Sequence, residues 1–126
     1  VNKYLMIAIG GAAGSIARYQ VAAMVQGRVA AGFPWGTFIV NMSGCFVMGV
    51  VMTLLTERVS DPNWRYLLPI GFIGAYTTFS TFELETFRAV SDRAFAIAAA
   101  YVLASVVVGY LALWMGVVVT RVSLNG

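Results

Sequence analysis

The chain has no histidine, one cysteine and three prolines, and only 10% of its residues are charged. Without an imidazole there is no histidine metal centre and no histidine general base. Cys45 has no partner in its own chain, which excludes an intrachain disulfide and leaves the redox compartment open. The formal net charge of +3 is small and spread over connecting segments. It lacks the clustered basic face that nucleic acid requires, so no nucleic-acid partner is expected. Carboxylates number five, and none falls within the first, second or fourth long apolar run.

Apolar residues fill the space that charges leave, at 60% of the chain. Val29 to Thr56 and Ala94 to Thr120 carry no charge, Tyr4 to Gln26 is interrupted only by Arg18, and Tyr66 to Phe87 ends in Glu83 and Glu85. Each run reaches the roughly 20 residues that carry a helix across a bilayer. The expected fold is an all-α integral membrane domain over 1–126, with spans at about 4–26, 33–56, 66–87 and 94–120. Four such spans use most of the chain and leave no room for a soluble domain. The first segment is longer than a signal-peptide core and lacks a convincing small-residue cleavage site, so it is read as retained. Short connections, one of them containing Asp61-Pro62, favour antiparallel neighbours.

With four spans both termini share a face. Lys3, Arg58, Arg65 and Arg121 then lie on that face, against Arg28, Arg88 and Arg93 on the other. Excess Lys and Arg on one side normally sets orientation, and four against three sets almost none. Two readings stay open: other determinants orient the chain uniformly, or copies insert both ways and pair as an antiparallel dimer about an in-plane two-fold.

Polar residues inside the spans are few. Gly10 and Gly14 have the four-residue spacing that allows close helix approach in lipid. Arg18 either snorkels to the interface or attracts anions in a vestibule. Asn41, near Ser43, is either helix-helix glue or an N–H donor to a passing anion. Tyr101 and Ser105, four apart, share one face of the last span.

The richest segment is GFIGAYTTFSTFELE, 71 to 85, with five hydroxyl side chains and two glycines in apolar surroundings. Gly71, Gly74 and the run Thr77, Thr78, Ser80, Thr81 weaken a regular helical ladder, predicting a kink or break near Gly74 to Thr77. A break frees carbonyls at membrane depth, and these need a donor or a cation. Phe79 and Phe82 either pack or offer the electropositive ring edge to an anion.

Together GGAAGSIARY at 10 to 19, TFIVNMSGCF around Asn41, and the 71 to 85 segment resemble the Fluc, or CrcB, family of fluoride channels over all four spans. That resemblance implies a dual-topology antiparallel homodimer in the bacterial plasma (inner) membrane, multi-pass, with two pores exporting fluoride passively. It implies pore roles for Asn41, Phe79, Phe82, Ser80, Thr81, Tyr101 and Ser105, a vestibule role for Arg18, and a pore-end role for Glu85. It further implies a structural sodium ion at the dimer interface, held by the backbone carbonyls of Gly74 and Thr77. Gly109 departs from the pattern, standing where another hydroxyl is expected a turn after Ser105.

Two other classes are weighed. A small dual-topology multidrug or cation transporter needs a carboxylate deep in a span, and spans one, two and four have none. A membrane enzyme needs acidic metal ligands and a base, for which only Glu83 and Glu85 are available, at the end of span three.

Overall fold

The computed structural model describes residues 2–126, whose regular structure is all helical, with no strand among them. Helix α1 (Lys3–Gln26) begins at Asn2, whose side chain accepts from the Tyr4 N–H at 2.8 Å. Helix α2 (Trp35–Glu57) follows a short loop; its first-turn Gly36 N–H, unbonded within the helix, donates to Gln26 Oε1 at 3.2 Å. The third run is composite: α3 (Asn63–Arg65), a π-helical stretch (Tyr66–Ile73), α4 (Gly74–Tyr76) and, after an interruption, α5 (Phe79–Ser91). Helix α6 (Phe95–Asn125) closes the chain. By length and hydropathy α2 and α6 are each able to cross a membrane.

Pro69 accounts for the widened turns of the π-helical stretch. It has no N–H to donate, and its ring crowds the carbonyl four residues earlier, so the regular ladder cannot pass through it. Against this stretch lies α1, and the glycines are what let it approach. A Cβ on Gly10 would lie 2.2 Å from the Leu67 carbonyl oxygen, and one on Gly14 would lie 2.2 Å from that of Phe72. Gly71 faces back towards Ile7 and Gly10. The contact is backbone on backbone, as small residues in lipid-embedded helices permit.

The second extensive pairing joins α2 to α6, and it is nearly symmetric. A Cβ on Gly49 would lie 2.2 Å from the Leu113 carbonyl oxygen and near the Val117 nitrogen; one on Gly116 would lie 2.3 Å from the Phe46 carbonyl oxygen and near the Val50 nitrogen. One turn on, Thr53 and Thr120 each fold back to bond the carbonyl of Gly49 and Gly116 respectively, at 2.7 Å. The hydroxyls are thereby satisfied within their own helices and need no donor or acceptor from the neighbour. Further along, Arg121 bonds Glu57 at 2.9 Å and Arg58 caps the Leu124 carbonyl at 3.1 Å. Contacts advance in the same direction on both helices, so α2 and α6 run parallel, as do α1 and the start of the third run. Between the pairs the direction reverses, with Gly36 against Ala22.

The core is small. Val40, Leu55, Ile73, Phe82, Ala98 and Tyr101 are the buried apolar side chains, while large apolar side chains such as Ile9, Leu103, Val106 and Trp114 face outward. Such an outward surface suits hydrocarbon rather than water.

Candidate functional site

The third run is interrupted at Thr77 and Thr78, both extended, at φ −81°, ψ 154° and φ −144°, ψ 118°. Two consecutive β-branched residues favour that backbone. Thr77 still closes α4, its N–H and its hydroxyl both reaching the Ile73 carbonyl at 3.0 and 3.1 Å. Thr78 opens α5, its hydroxyl accepting the Thr81 N–H at 3.3 Å as an N-cap.

Asn41 meets the break from α2. The Thr78 N–H donates to Asn41 Oδ1 at 2.8 Å, and Asn41 Nδ2 donates to the Thr78 carbonyl at 3.1 Å. The amide, open between glue and donor on sequence grounds, is thus bonded to backbone on both ends. Two residues along α2, the Ser43 hydroxyl bonds that of Tyr76 at 2.9 Å.

An open groove of about 430 Å³ runs beside the break, where Asn41, Thr77, Phe79, Phe82 and Ser105 come together among methionine and aliphatic side chains. Phe82 is buried with its ring edge-on to Tyr101, centroids 4.9 Å apart, whereas Phe79, 5.9 Å from Phe82, is 74% exposed. The Tyr101 hydroxyl and Ser105 Oγ are buried and have no hydrogen-bond partner in the protein. Two orphaned hydroxyls thus share one helix face, and of the two residues Ser105 lines the groove. At Gly109, the next step along that face, the side chains of Met42 and Cys45 fill the space.

A second cleft, of about 370 Å³, holds Arg18 from α1 with Thr37, Thr78 and Thr81. Glu85 sits beyond it, accepting a short hydrogen bond from the Thr37 hydroxyl, and lines a further cleft with Arg88. Ser80 is exposed on the outer side of α5 and lines neither the groove nor the Arg18 cleft. Gly74 is exposed and Thr77 half-buried, side by side at the break. Among the described residues no three His, Cys, Asp or Glu side chains gather as metal ligands.

Thr37 and Thr78 were not singled out as site residues in the sequence. Thr37 lies one helical turn before Asn41, a spacing that places both on one face of α2. Thr78 is marked only as one of several threonines, because its partner comes from another helix.

The model of the family described as "CrcB-like protein, Camphor Resistance (CrcB)" matches residues 5–117. The chain is 53% identical over 120 residues to the fluoride-specific ion channel FluC of Solibacter usitatus, covering 94% of this chain and 98% of that one. To the fluoride-specific ion channel FluC of Acidobacterium capsulatum it is 48% identical over 118 residues, 93% and 94% of the two chains. The fluoride-specific ion channel FluC 2 of Clostridium acetobutylicum is 42% identical over 113 residues.

Proposed function

This chain belongs to the CrcB family, and on that premise we propose that it is a membrane channel that conducts fluoride passively out of the cytoplasm. It is a channel and not an enzyme. The transporter alternative finds no support in relatives that are named fluoride-specific channels. One observation carries the site assignment: the groove beside the helix break brings Asn41, Phe79, Phe82 and the orphaned Ser105 hydroxyl into one lining.

Fluoride is small and strongly hydrated, so conduction requires donors that replace its water without trapping it. Hydroxyl O–H of Tyr101 and Ser105, an amide N–H of Asn41, and the positive ring edges of Phe79 and Phe82 are such donors. None carries a full charge. Arg18, with Thr37 and Thr81 in its cleft, draws anions to the approach. Thr81, in the first turn of α5, extends the hydroxyl lining, Ser80 reaches a pore in this reading only where a second copy meets the outer side of α5, and Glu85 marks the pore end. The N-terminus of α5 contributes positive partial charge beside the break.

The working unit in this reading is an antiparallel homodimer of dual topology in the bacterial inner membrane, each copy crossing four times. The near-balance of basic residues between faces supports it. A second copy and lipid would cover the outward apolar surface. The break also suits a structural sodium ion shared between copies. Thr78 and Thr81 send their N–H groups to Asn41 and to the Thr78 hydroxyl, so the Gly74 and Thr77 carbonyls lose the donors an unbroken helix would supply. Neutral oxygen donors of this kind fit a hard monovalent cation. When bound there, the ion supplies a fixed positive potential for anions nearby.

Fluoride efflux from proteoliposomes containing the purified protein tests the assignment, with chloride as the control anion. Absence of fluoride-selective efflux from a folded, reconstituted protein contradicts it.

A further inference from the structure

The two bonds from Asn41 do more than fill a polar valence. They grip a single residue, Thr78, by the N–H on one side of its Cα and the carbonyl on the other, from 37 residues away in sequence. In a continuous helix the Thr78 N–H would close its turn on the Gly74 carbonyl. Asn41 Oδ1 takes that N–H instead, at 2.8 Å, and Nδ2 holds the carbonyl of the same residue at 3.1 Å. A backbone N–H at this depth needs an acceptor, and with an apolar residue at 41 the one left within the chain's own helical pattern is Gly74.

The carboxamide nitrogen has two hydrogens, of which the Thr78 carbonyl takes one. Pinning Oδ1 on the Thr78 N–H prevents the amide from flipping, so the second hydrogen has a set direction on a side chain that lines the groove. The same residue therefore touches the backbone that frees Gly74 and the surface offered to the anion.

Resting on the channel reading above, we propose that Asn41 is the positioning residue of the helix break: its grip on Thr78 keeps the Gly74 carbonyl free for a cation and couples that carbonyl to the anion-facing amide hydrogen. Asn41 acts on the cation site through Thr78 and touches no cation itself.

Two variants separate this from a simple pore donor. Asn41→Leu removes both bonds at similar volume; Asn41→Asp keeps an acceptor for the Thr78 N–H. Solid-state NMR of the labelled protein in lipid vesicles reads the Thr77 and Thr78 Cα shifts and the response of the Gly74 carbonyl shift when sodium is replaced by N-methylglucamine. The expected result is extended shifts and a sodium-responsive Gly74 in wild type and Asn41→Asp, and helical shifts with an unresponsive Gly74 in Asn41→Leu. Fluoride efflux falls at least tenfold in both variants. Asn41→Leu with both threonines still extended and Gly74 still responsive overturns the proposal. If that variant does not fold, amide exchange in the wild type decides: a Thr78 N–H protected like the α2 amides supports the grip, and rapid exchange overturns it. A wild type that passes no fluoride defeats the channel reading alone, because the shifts are read independently of flux.

Discussion

Phe82 makes an edge-on ring contact with Tyr101 at 65°, and the hydroxyl of that same tyrosine is left buried without a partner. An apolar contact on the ring of Tyr101 thus helps to fix where its unpartnered hydroxyl lies. On the proposed channel reading stability and conduction meet at this pair, which makes it a good place to pull them apart.

Phe82→Ile removes the ring pair, worth about 0.5–1.5 kcal/mol beyond its buried area. Phe79→Ile removes a ring that is 74% exposed, so within one copy it costs little. Thermal unfolding in detergent should rank the variants in that order. If ring edges serve the anion, fluoride efflux drops sharply in both; wild-type efflux from both assigns the rings to packing alone.

Removing the orphaned hydroxyls should have the opposite effect on stability. Tyr101→Phe and Ser105→Ala each delete a buried, unsatisfied polar group whose cost is about 1–3 kcal/mol. Both variants are expected to be as stable as the parent or more so, while fluoride efflux slows at least tenfold. Unaltered efflux in the double variant places the conduction path elsewhere.

Arg93 holds a φ of 58°, the only non-glycine residue in the left-handed region among those described. It ends α5, where the Ala94 N–H reaches the Ala89 carbonyl at 2.8 Å, a turn that glycine makes without strain. Arg93→Gly is expected to raise stability by about 1 kcal/mol. It also removes a positive charge from the face bearing Arg28 and Arg88, shifting the basic balance to four against two. Accessibility of a C-terminal tag, measured from each side of the native membrane, should become less even. A tag reachable from only one side in the unmodified chain would remove the case for dual topology.

The all-helical class and the apolar character of the helices were legible because charge is so scarce: each apolar run is bounded by Lys or Arg, or by a turn. The interruption was legible to within a residue or two from glycines and threonines. It falls at Thr77 and Thr78 because Asn41 supplies the missing acceptor there, a cause that no local pattern contains. Phe79 and Phe82, three apart, look equivalent in sequence. One is buried and one faces out, since only one side of α5 meets α6 and Tyr101. Similarly, the resemblance implies a lining role for Ser80, and within one copy its place on α5 turns it outward. The reach of Glu85 to Thr37 spans 48 residues and has no signature short of the fold itself.

The close seat of Gly49 against Leu113 and of Gly116 against Phe46 also sets a schedule for synthesis. Helix α2 is made before its partner α6, with the whole third run between them, so the pair cannot close until that run and α6 have left the ribosome. Until then the backbone face of α2 must wait in the bilayer, open to any other small-residue helix that passes. Gly49→Val or Gly116→Val blocks the final docking by overpacking, at a cost of about 1–3 kcal/mol. A chain so altered would remain in that waiting state, inserted but unclosed, and become a substrate for membrane proteases rather than a misplaced channel.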